Sequence, residues 1–300
     1  MSAQRKQEFA PYLALIAVQF CFGSGVVIGK VVLKTIPAVG LVGFRVGITA
    51  FALVIYQALR GRFWLKEKGD YGRLAVLSLF GVTLNQLFFI SGLSLTRASN
   101  TALLAVTIPI FALAVGAIVG IETLRIVKVV GILLAAGGVT LLIDPRNASF
   151  SSETTRGDLL IIANSFCYGI YVAVSKTVVT RNGAFRSMMW VFIFAAIICV
   201  PLGAYSMSSI DIYTVEPRTW LLVLYISIGV TAAPYLLTAW ALARVDPSTV
   251  AVFIYLYPVI GFLLAVIFLG ELIDLRFIFA TLLIFSGVYL VTKKFVPSET

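Results

Sequence analysis

Two adjacent side-chain amides, Asn85 and Gln86, lie near the middle of a long apolar run, Leu74 to Leu95. If this run crosses a bilayer, an amide without a partner costs several kcal/mol, because no water is present to bond it. Such amides either bond between helices or bind a solute in a polar cavity, and the sequence leaves both uses open. The same applies to the other polar or aromatic candidates for substrate binding: Gln19, Phe89, Asn164, Tyr168, Tyr235, Trp240 and Tyr255.

The charged side chains that fall within a span or near its end include Arg45, Glu122 and Glu271. Arg45 has three open uses, since it can extend to the membrane surface, bond backbone carbonyls or bind a substrate carboxylate. The first two are favoured together, and the third makes Arg45 a candidate anion contact. Glu122 and Glu271 each sit between two helices, so a structural role at the next helix N-terminus is favoured over proton coupling.

Prolines interrupt three of the apolar runs, at Pro109, Pro234 and Pro258. Each removes the N–H that would bond the carbonyl four residues earlier, and that carbonyl must then face protein or a wet cavity. Gating hinges and static kinks are both open interpretations of these three positions.

Missing residue types limit the chemistry. The chain contains no His, which excludes a Ser-His protease and a His-ligated metalloprotease. Every Asp lies at a span end or in a loop, which argues against an intramembrane aspartyl pair. Cys21, Cys167 and Cys199 lie inside apolar runs without metal-like spacing. The sequence therefore predicts no enzyme, no metal site and no cofactor.

The lack of an Asp, Glu or His near the middle of any span also bears on energy coupling. Proton-driven carriers generally use an Asp, Glu or His inside a span, so the sequence predicts transport without obligatory proton movement.

The composition places these residues in a membrane. Of the 300 residues, 60% are hydrophobic and 12% charged, with a mean hydropathy of +1.04, whereas a soluble domain carries about 25% charged residues. The net charge of +10 comes from basic residues dispersed between apolar runs, so nucleic acid is not a predicted partner. The chain is predicted to be an integral membrane protein.

Apolar runs long enough to span a bilayer number ten, each with about 18 to 25 residues. Most of the Lys and Arg outside them fall on one side if the N-terminus is cytoplasmic, so both termini are predicted to be cytoplasmic, in a plasma or bacterial inner membrane. The predicted spans are 11–33, 37–59, 74–95, 98–120, 126–144, 158–178, 186–206, 219–243, 247–269 and 276–292.

The two halves of the chain resemble each other. The segment from Ser99 aligns without gaps to the segment from Ser248, which pairs Pro109 with Pro258 and Glu122 with Glu271. In the third span of each half, Phe88 and Ser91 are matched to Tyr235 and Thr238. Five spans per unit is an odd number, so the halves insert with opposite topology. We predict a cytoplasmic N-terminus (1–10), a first repeat (11–144), an extracytoplasmic linker (145–157), a second repeat (158–292) and a cytoplasmic C-terminus (293–300).

Each repeat contains an apolar helix with a central Pro, a Gly-Glu pair in the second copy ("FLGE"), and a later helix ending "GGV" or "SGV". This pattern resembles the EamA unit of the drug/metabolite transporter (DMT) superfamily, and the resemblance covers both halves. It implies an all-α, ten-helix bundle with a central cavity and alternating access for small metabolites. The first helix departs from the family pattern, since Phe22 and Tyr168 precede Gly where Trp is frequent.

The predicted function is secondary transport of small, largely neutral or zwitterionic metabolites, with amino acids or amphipathic compounds favoured because a polar and aromatic cavity suits them. The protein is predicted to act as an exporter, facilitator or exchanger, as a monomer or weak homodimer in the lipid bilayer. The alternatives are a proton-coupled antiporter and a non-transporting channel or scaffold.

Overall fold

The computed structural model describes residues 3–143, 154–260, 263 and 275–293. Glu271, residues 145–153 of the predicted linker and residues 294–300 lie outside the described residues. Within them the chain is helical and contains no strand. The α-helices are α1 (Ala3–Val32), α2 (Ala38–Leu59), α3 (Gly69–Ser78), α4 (Asn85–Leu95), α5 (Ala98–Leu104), α6 (Thr107–Ile118), α7 (Ile126–Ile143), α8 (Thr155–Asn182), α9 (Ala184–Met207), α10 (Pro217–Ser227), α11 (Ala233–Leu242), α12 (Pro247–Val252) and α13 (Leu275–Thr292).

Irregular helical turns join several of these helices into longer spans. π-helical turns, Leu79–Leu84 and Ile228–Ala232, join α3 to α4 and α10 to α11. A 3₁₀ turn, Phe253–Tyr255, follows α12, and a further 3₁₀ turn is Ile212–Thr214.

Eight helical segments in the described part of the chain are long and apolar enough to cross a bilayer, and they fall on the first eight predicted spans. Shorter apolar helices, Pro247–Ile260 and Phe277–Thr292, fall within the ninth and tenth. The prediction of an all-α integral membrane protein is therefore confirmed. The eight segments are Phe9–Val32, Ala38–Leu59, Gly69–Leu95, Asn100–Ile118, Ile126–Ile143, Thr155–Asn182, Ala184–Met207 and Pro217–Leu242.

Helices α2 and α9 pack closely because glycines face each other. A Cβ added at Gly43 would lie 2.7 Å from the Cα of Gly203, and one added at Gly40 would lie 2.8 Å from the sulfur of Met207. Residue numbers rise along α2 as they fall along α9, so these two helices run antiparallel.

Helices α7 and α13 form a second close pair. A Cβ at Gly138 would lie 2.8 Å from the carbonyl oxygen of Ala280, and one at Gly131 would lie 2.8 Å from that of Gly287. This pair is also antiparallel, and small residues allow its backbones to touch, as is common between membrane helices.

Each predicted proline interruption coincides with an irregular turn. Pro109 follows the break between α5 and α6, Pro234 follows the π turn Ile228–Ala232, and Pro258 follows the 3₁₀ turn Phe253–Tyr255. The missing proline N–H explains where these turns lie. Each proline leaves the carbonyl four residues earlier without its helical hydrogen bond, and that earlier residue lies within the irregular turn.

Candidate substrate cavity

A cavity of about 100 Å³ is lined by residues from both halves of the chain. Its walls come from α1, α2, α4, α5 and α6 of the first half and from α8, α11, the irregular turns and Tyr257 of the second. It brings together seven of the side chains that the sequence singled out: Arg45, Asn85, Gln86, Phe89, Asn164, Tyr168 and Tyr235.

Three predicted substrate-binding residues do not line this cavity. Gln19 is buried, and its amide donates a hydrogen bond of 3.3 Å to the carbonyl of Leu15 in its own helix. Trp240 stacks under the guanidinium of Arg244, 3.9 Å from ring centroid to carbon. Tyr255 donates a 2.8 Å hydrogen bond to the carbonyl of Val106. Each has a partner that holds it in the surrounding structure.

The hydroxyl of Tyr235 is the centre of a hydrogen-bond network on the cavity wall. It accepts a bond from the amide nitrogen of Gln86 at 3.0 Å and lies 2.6 Å from the carbonyl of Gly81 and 3.1 Å from Oδ1 of Asn85. Asn164 donates a 3.0 Å bond to the backbone carbonyl of Asn85. Asn85 and Gln86 therefore both line the cavity and bond between helices.

Only one of the two polar ends of the Gln86 amide is bonded. Its nitrogen bonds to Tyr235, while its oxygen is buried and has no hydrogen-bond partner among the described residues. A buried acceptor without a donor is uncommon in folded proteins and suits a bound solute or an ordered water.

Arg45 is 4% exposed and lines the cavity. Its Nε donates a 2.9 Å hydrogen bond to the hydroxyl of Thr231, in the π turn of the other half, and no carboxylate of the described residues lies within ion-pair distance. One of the two favoured uses, extension of the side chain to the membrane surface, is therefore wrong. Thr231 offers a buried partner instead.

The sequence did not single out several apolar and aromatic residues on the cavity walls. The repeat contained the signal for some of them. Ser99 and Ser248, which the sequence aligns, are 149 positions apart. The same separation pairs Ala105 with Ile254 and Ile108 with Tyr257, and these last four residues line the cavity. The remaining new lining residues are Phe22, Gly25, Val26, Thr101, Ile161 and Val230.

The structure also corrects the alignment of the third spans. The π turns begin at Leu79 and Ile228, 149 positions apart. This separation matches Gln86 to Tyr235, so the match of Phe88 to Tyr235 predicted from the sequence is displaced by two positions. The corrected partners, Gln86 and Tyr235, bond to each other.

Val106 and Tyr255, also 149 positions apart, bond to each other as well. Contact between equivalent residues is what a two-fold relation between the halves produces near its axis.

At one end of the bundle an ionic network joins the halves. The carboxylate of Glu122 accepts bonds from the ammonium of Lys128 at 2.7 Å and from the hydroxyl of Ser248 at 2.6 Å. Asp246 lies 3.4 Å from Lys128 and 3.3 Å from Lys176. Burial raises the pKa of Asp246, but the two nearby ammonium groups outweigh it and bring the pKa below its ordinary value.

At the other end the halves meet through Asp158. Its buried carboxylate accepts a 2.6 Å bond from the hydroxyl of Thr96 and a 2.9 Å bond from the amide of Asn100. Lys30 donates a 2.7 Å bond to the carbonyl of Thr96. The cavity therefore lies between two sets of polar contacts, one at each end.

In the described part of the chain, no group of three or more His, Cys, Asp or Glu side chains is placed to hold a metal ion. The side chains that line the cavity supply amides, phenols, a hydroxyl, one guanidinium and apolar surface, which suits binding of a small organic solute.

Several known proteins similar to this chain are named as transporters or as an efflux pump. An uncharacterized transporter of Archaeoglobus fulgidus is 27% identical over 285 residues, covering 94% of this chain and 97% of its own. The uncharacterized transporter YetK of Bacillus subtilis is 25% identical and covers 96% of this chain and 88% of its own. A probable amino-acid metabolite efflux pump of Salmonella typhimurium is 26% identical, with 93% of each chain covered.

The fold also matches a crystal structure with a TM-score of 0.74 over 94% of this chain and 96% of the other, at 20% identity. A family model described as the EamA-like transporter family matches residues 9–144 and 155–293. This match confirms the resemblance seen in the sequence and the prediction that the protein is not an enzyme. The chain belongs to the EamA-like transporter family of the DMT superfamily.

Proposed function

We propose that this protein is a secondary transporter that carries small metabolites through the cavity between its halves by alternating access. The observation that supports this most is the position of the cavity. Its polar and aromatic walls come from both halves, and separate sets of inter-half contacts, around Glu122 and around Asp158, lie at opposite ends. Opening one set while the other stays closed would expose the cavity to one side at a time.

The proposed architecture has ten spans in two inverted five-helix repeats. Two observations support it. The second helices of the two halves, α2 and α9, run antiparallel, and so do the fifth helices, α7 and α13. Equivalent residues also contact each other, as with Gln86 and Tyr235. Equivalent helices of opposite direction are what two units of opposite topology would produce.

The proposed orientation places both termini in the cytoplasm, so the Glu122 contacts lie on the cytoplasmic side and the Asp158 contacts outside. The distribution of Lys and Arg supports it. One chain supplies both halves of the cavity, which fits a monomer or a weak homodimer as the transporting unit.

The proposed hinges are the irregular turns before Pro109, Pro234 and Pro258. The residues four positions before these prolines, Ala105, Val230 and Ile254, all line the cavity. A change of conformation there would alter the cavity wall directly, and weakened backbone hydrogen bonding lowers the cost of such a change.

The proposed substrates are amino acids or amphipathic metabolites, moved by facilitated diffusion or exchange. The efflux pump of Salmonella typhimurium supports the amino-acid class by its name. One observation favours proton-coupled antiport as a second candidate. Glu122 is a carboxylate buried between the halves, and its Oε2 has no hydrogen-bond partner among the described residues.

Counterflow in proteoliposomes tests the proposal. Saturable exchange of labelled metabolites from a panel supports a carrier, whereas a leak that does not saturate refutes it and indicates a channel. An imposed pH gradient at zero membrane potential separates the two coupling modes. Gradient-driven accumulation that is abolished in Glu122→Gln but kept in the exposed control Glu216→Gln would establish proton coupling.

A further inference from the structure

Resting on the proposed transport function, we infer that the substrate carries a carboxylate that pairs with Arg45 and an N–H group that bonds to the side-chain oxygen of Gln86. The site is thus built for a small amino acid, and it rejects compounds that are only cationic or that lack the carboxylate.

The charge of Arg45 is not neutralised by the protein around it. Its Nε bonds to the neutral hydroxyl of Thr231, and its terminal N–H groups have no protein partner in the described structure. No Asp or Glu of the described residues lines the cavity. A buried charge in a membrane protein requires a partner, and a guanidinium matches the two oxygens of a carboxylate through parallel hydrogen bonds.

Protein groups hold the Nε end of the Arg45 guanidinium. The hydroxyl of Thr231 donates a 2.8 Å bond to the carbonyl of Ile226, five residues earlier, and so presents its lone pairs to Nε of Arg45. One turn further along α2, Thr49 donates a 2.8 Å bond to the carbonyl of Ser227. The bonds made by Arg45 and Thr49 attach α2 to the π turn and to the end of α10 in the other half.

The oxygen of Gln86 supplies the second half of the recognition. Tyr235 holds the Gln86 amide nitrogen, so the amide cannot exchange its two ends without losing that bond. The remaining buried oxygen accepts hydrogen bonds only, and it suits an ammonium or amide N–H. Because the cavity carries a net positive charge, a cation without a carboxylate is repelled.

The remaining walls suit an apolar side chain of limited size. Phe22, Phe89, Ile108 and Tyr257 supply apolar and aromatic surface. The volume of about 100 Å³ is well below the roughly 300 to 1,000 Å³ of sites for drug-sized ligands. The cavity therefore favours an amino acid over a large amphipathic drug.

The experiment uses the purified full-length protein and four matched probes. Leucine carries both groups, leucinamide lacks the carboxylate, 4-methylpentanoate lacks the amine, and 3-methylbutylamine keeps only the amine. The same series is prepared for phenylalanine and for glutamine. Counterflow into proteoliposomes and the shift of the thermal midpoint are measured for each probe, so that binding and transport are read separately.

We expect at least one amino acid to exchange saturably, and its amide and amine to act at least about tenfold more weakly, as for the loss of one good charged pair. Arg45→Gln removes this preference, and Arg45→Lys restores part of it. Arg244→Gln, a change of an arginine outside the cavity, leaves the preference unchanged. The series on the unmodified protein gives a result even if an Arg45 variant does not fold.

The possible outcomes separate the two proposals. Saturable exchange in which amide or amine equals the acid overturns the carboxylate inference and leaves the transporter standing. If neither these probes nor a broad metabolite panel gives saturable exchange, both the transport function and the carboxylate inference are overturned. If the amide and amine probes exchange and replacing chloride by sulfate abolishes that exchange, chloride is the partner of Arg45, and the inference is wrong.

Discussion

At the scale of single residues, Tyr235 determines what the two central amides do. Its hydroxyl joins Gln86, Gly81 and Asn85 on the opposite half of the chain, which leaves the Gln86 oxygen directed to no donor among the described residues. One phenol therefore positions both amides, and the bonding between helices that the sequence allowed is present in this network.

The first prediction is that Tyr235→Phe destabilises the protein by about 1–3 kcal/mol, because the amide nitrogen of Gln86 and the carbonyl of Gly81 lose a buried partner. Thermal unfolding of the purified protein in detergent measures the change. Tyr213→Phe is the control, since Tyr213 is 98% exposed and should give no shift. Equal midpoints for the two variants would show that the network contributes nothing to stability.

The sequence identified the polar part of this site and missed most of its apolar part, for a physical reason. A polar side chain within a span is costly, so Asn85, Asn164 and Arg45 stand out from their surroundings. Ile108 and Val230 look the same whether they face lipid or a cavity. Trp240 has the right chemistry, but it faces Arg244, and only the packing of its helix reveals this.

At the scale of elements, the spans were predictable because length and apolarity define them. The irregular turns were predictable only in part. Pro109, Pro234 and Pro258 mark three of them, but no proline lies in the π turn Leu79–Leu84 or shortly after it. Only the structure reveals this turn, as the equivalent of Ile228–Ala232 in the other half.

The close contact of α7 and α13 leads to the second prediction. In Gly138→Ala the added methyl would lie 2.8 Å from a backbone oxygen of Ala280 and 3.0 Å from the nitrogen of Ile284. Backbone atoms cannot move aside as the end of a flexible side chain does, so we expect the free energy of unfolding to fall by about 1–3 kcal/mol.

The adjacent glycine provides a matched control for this change. Gly137 lies in the same helix, is exposed and has nothing within 4 Å of an added Cβ. Gly137→Ala should therefore stabilise the helix by up to about 1 kcal/mol, since Gly is a poor helix former. Thermal midpoints of the two variants in detergent should move in opposite directions. A shift in the same direction would contradict the packing seen between α7 and α13.

At the scale of the whole molecule, the repeat relates the two ends of the protein. Glu122 bonds to Ser248 at one end, and their equivalents in the sequence are Glu271 and Ser99. If the halves exchange conformations during transport, each pair should form when the cavity is closed at its own end. The pairs can then be locked one at a time by cross-linking.

The third prediction concerns these locks. In a variant whose Cys21, Cys167 and Cys199 are replaced by Ala, cysteine pairs at 122 and 248 or at 99 and 271 are joined with a short reducible cross-linker. Each lock should abolish counterflow, because alternating access requires both ends to open in turn, and reduction should restore it. A single cysteine at the exposed Gly72, treated in the same way, should leave counterflow unchanged.

Labelling of an Asn85→Cys variant on the cavity wall then tests the sidedness of each lock. With positions 122 and 248 joined, a membrane-impermeant thiol reagent should reach the introduced thiol only from the outside, because the cytoplasmic end is closed. With positions 99 and 271 joined, the reagent should reach it only from the cytoplasmic side. Oriented vesicles, right-side-out and inside-out, provide the measurement. Labelling from the same side under both locks would contradict the inverted repeat, since equivalent contacts would then close the same end.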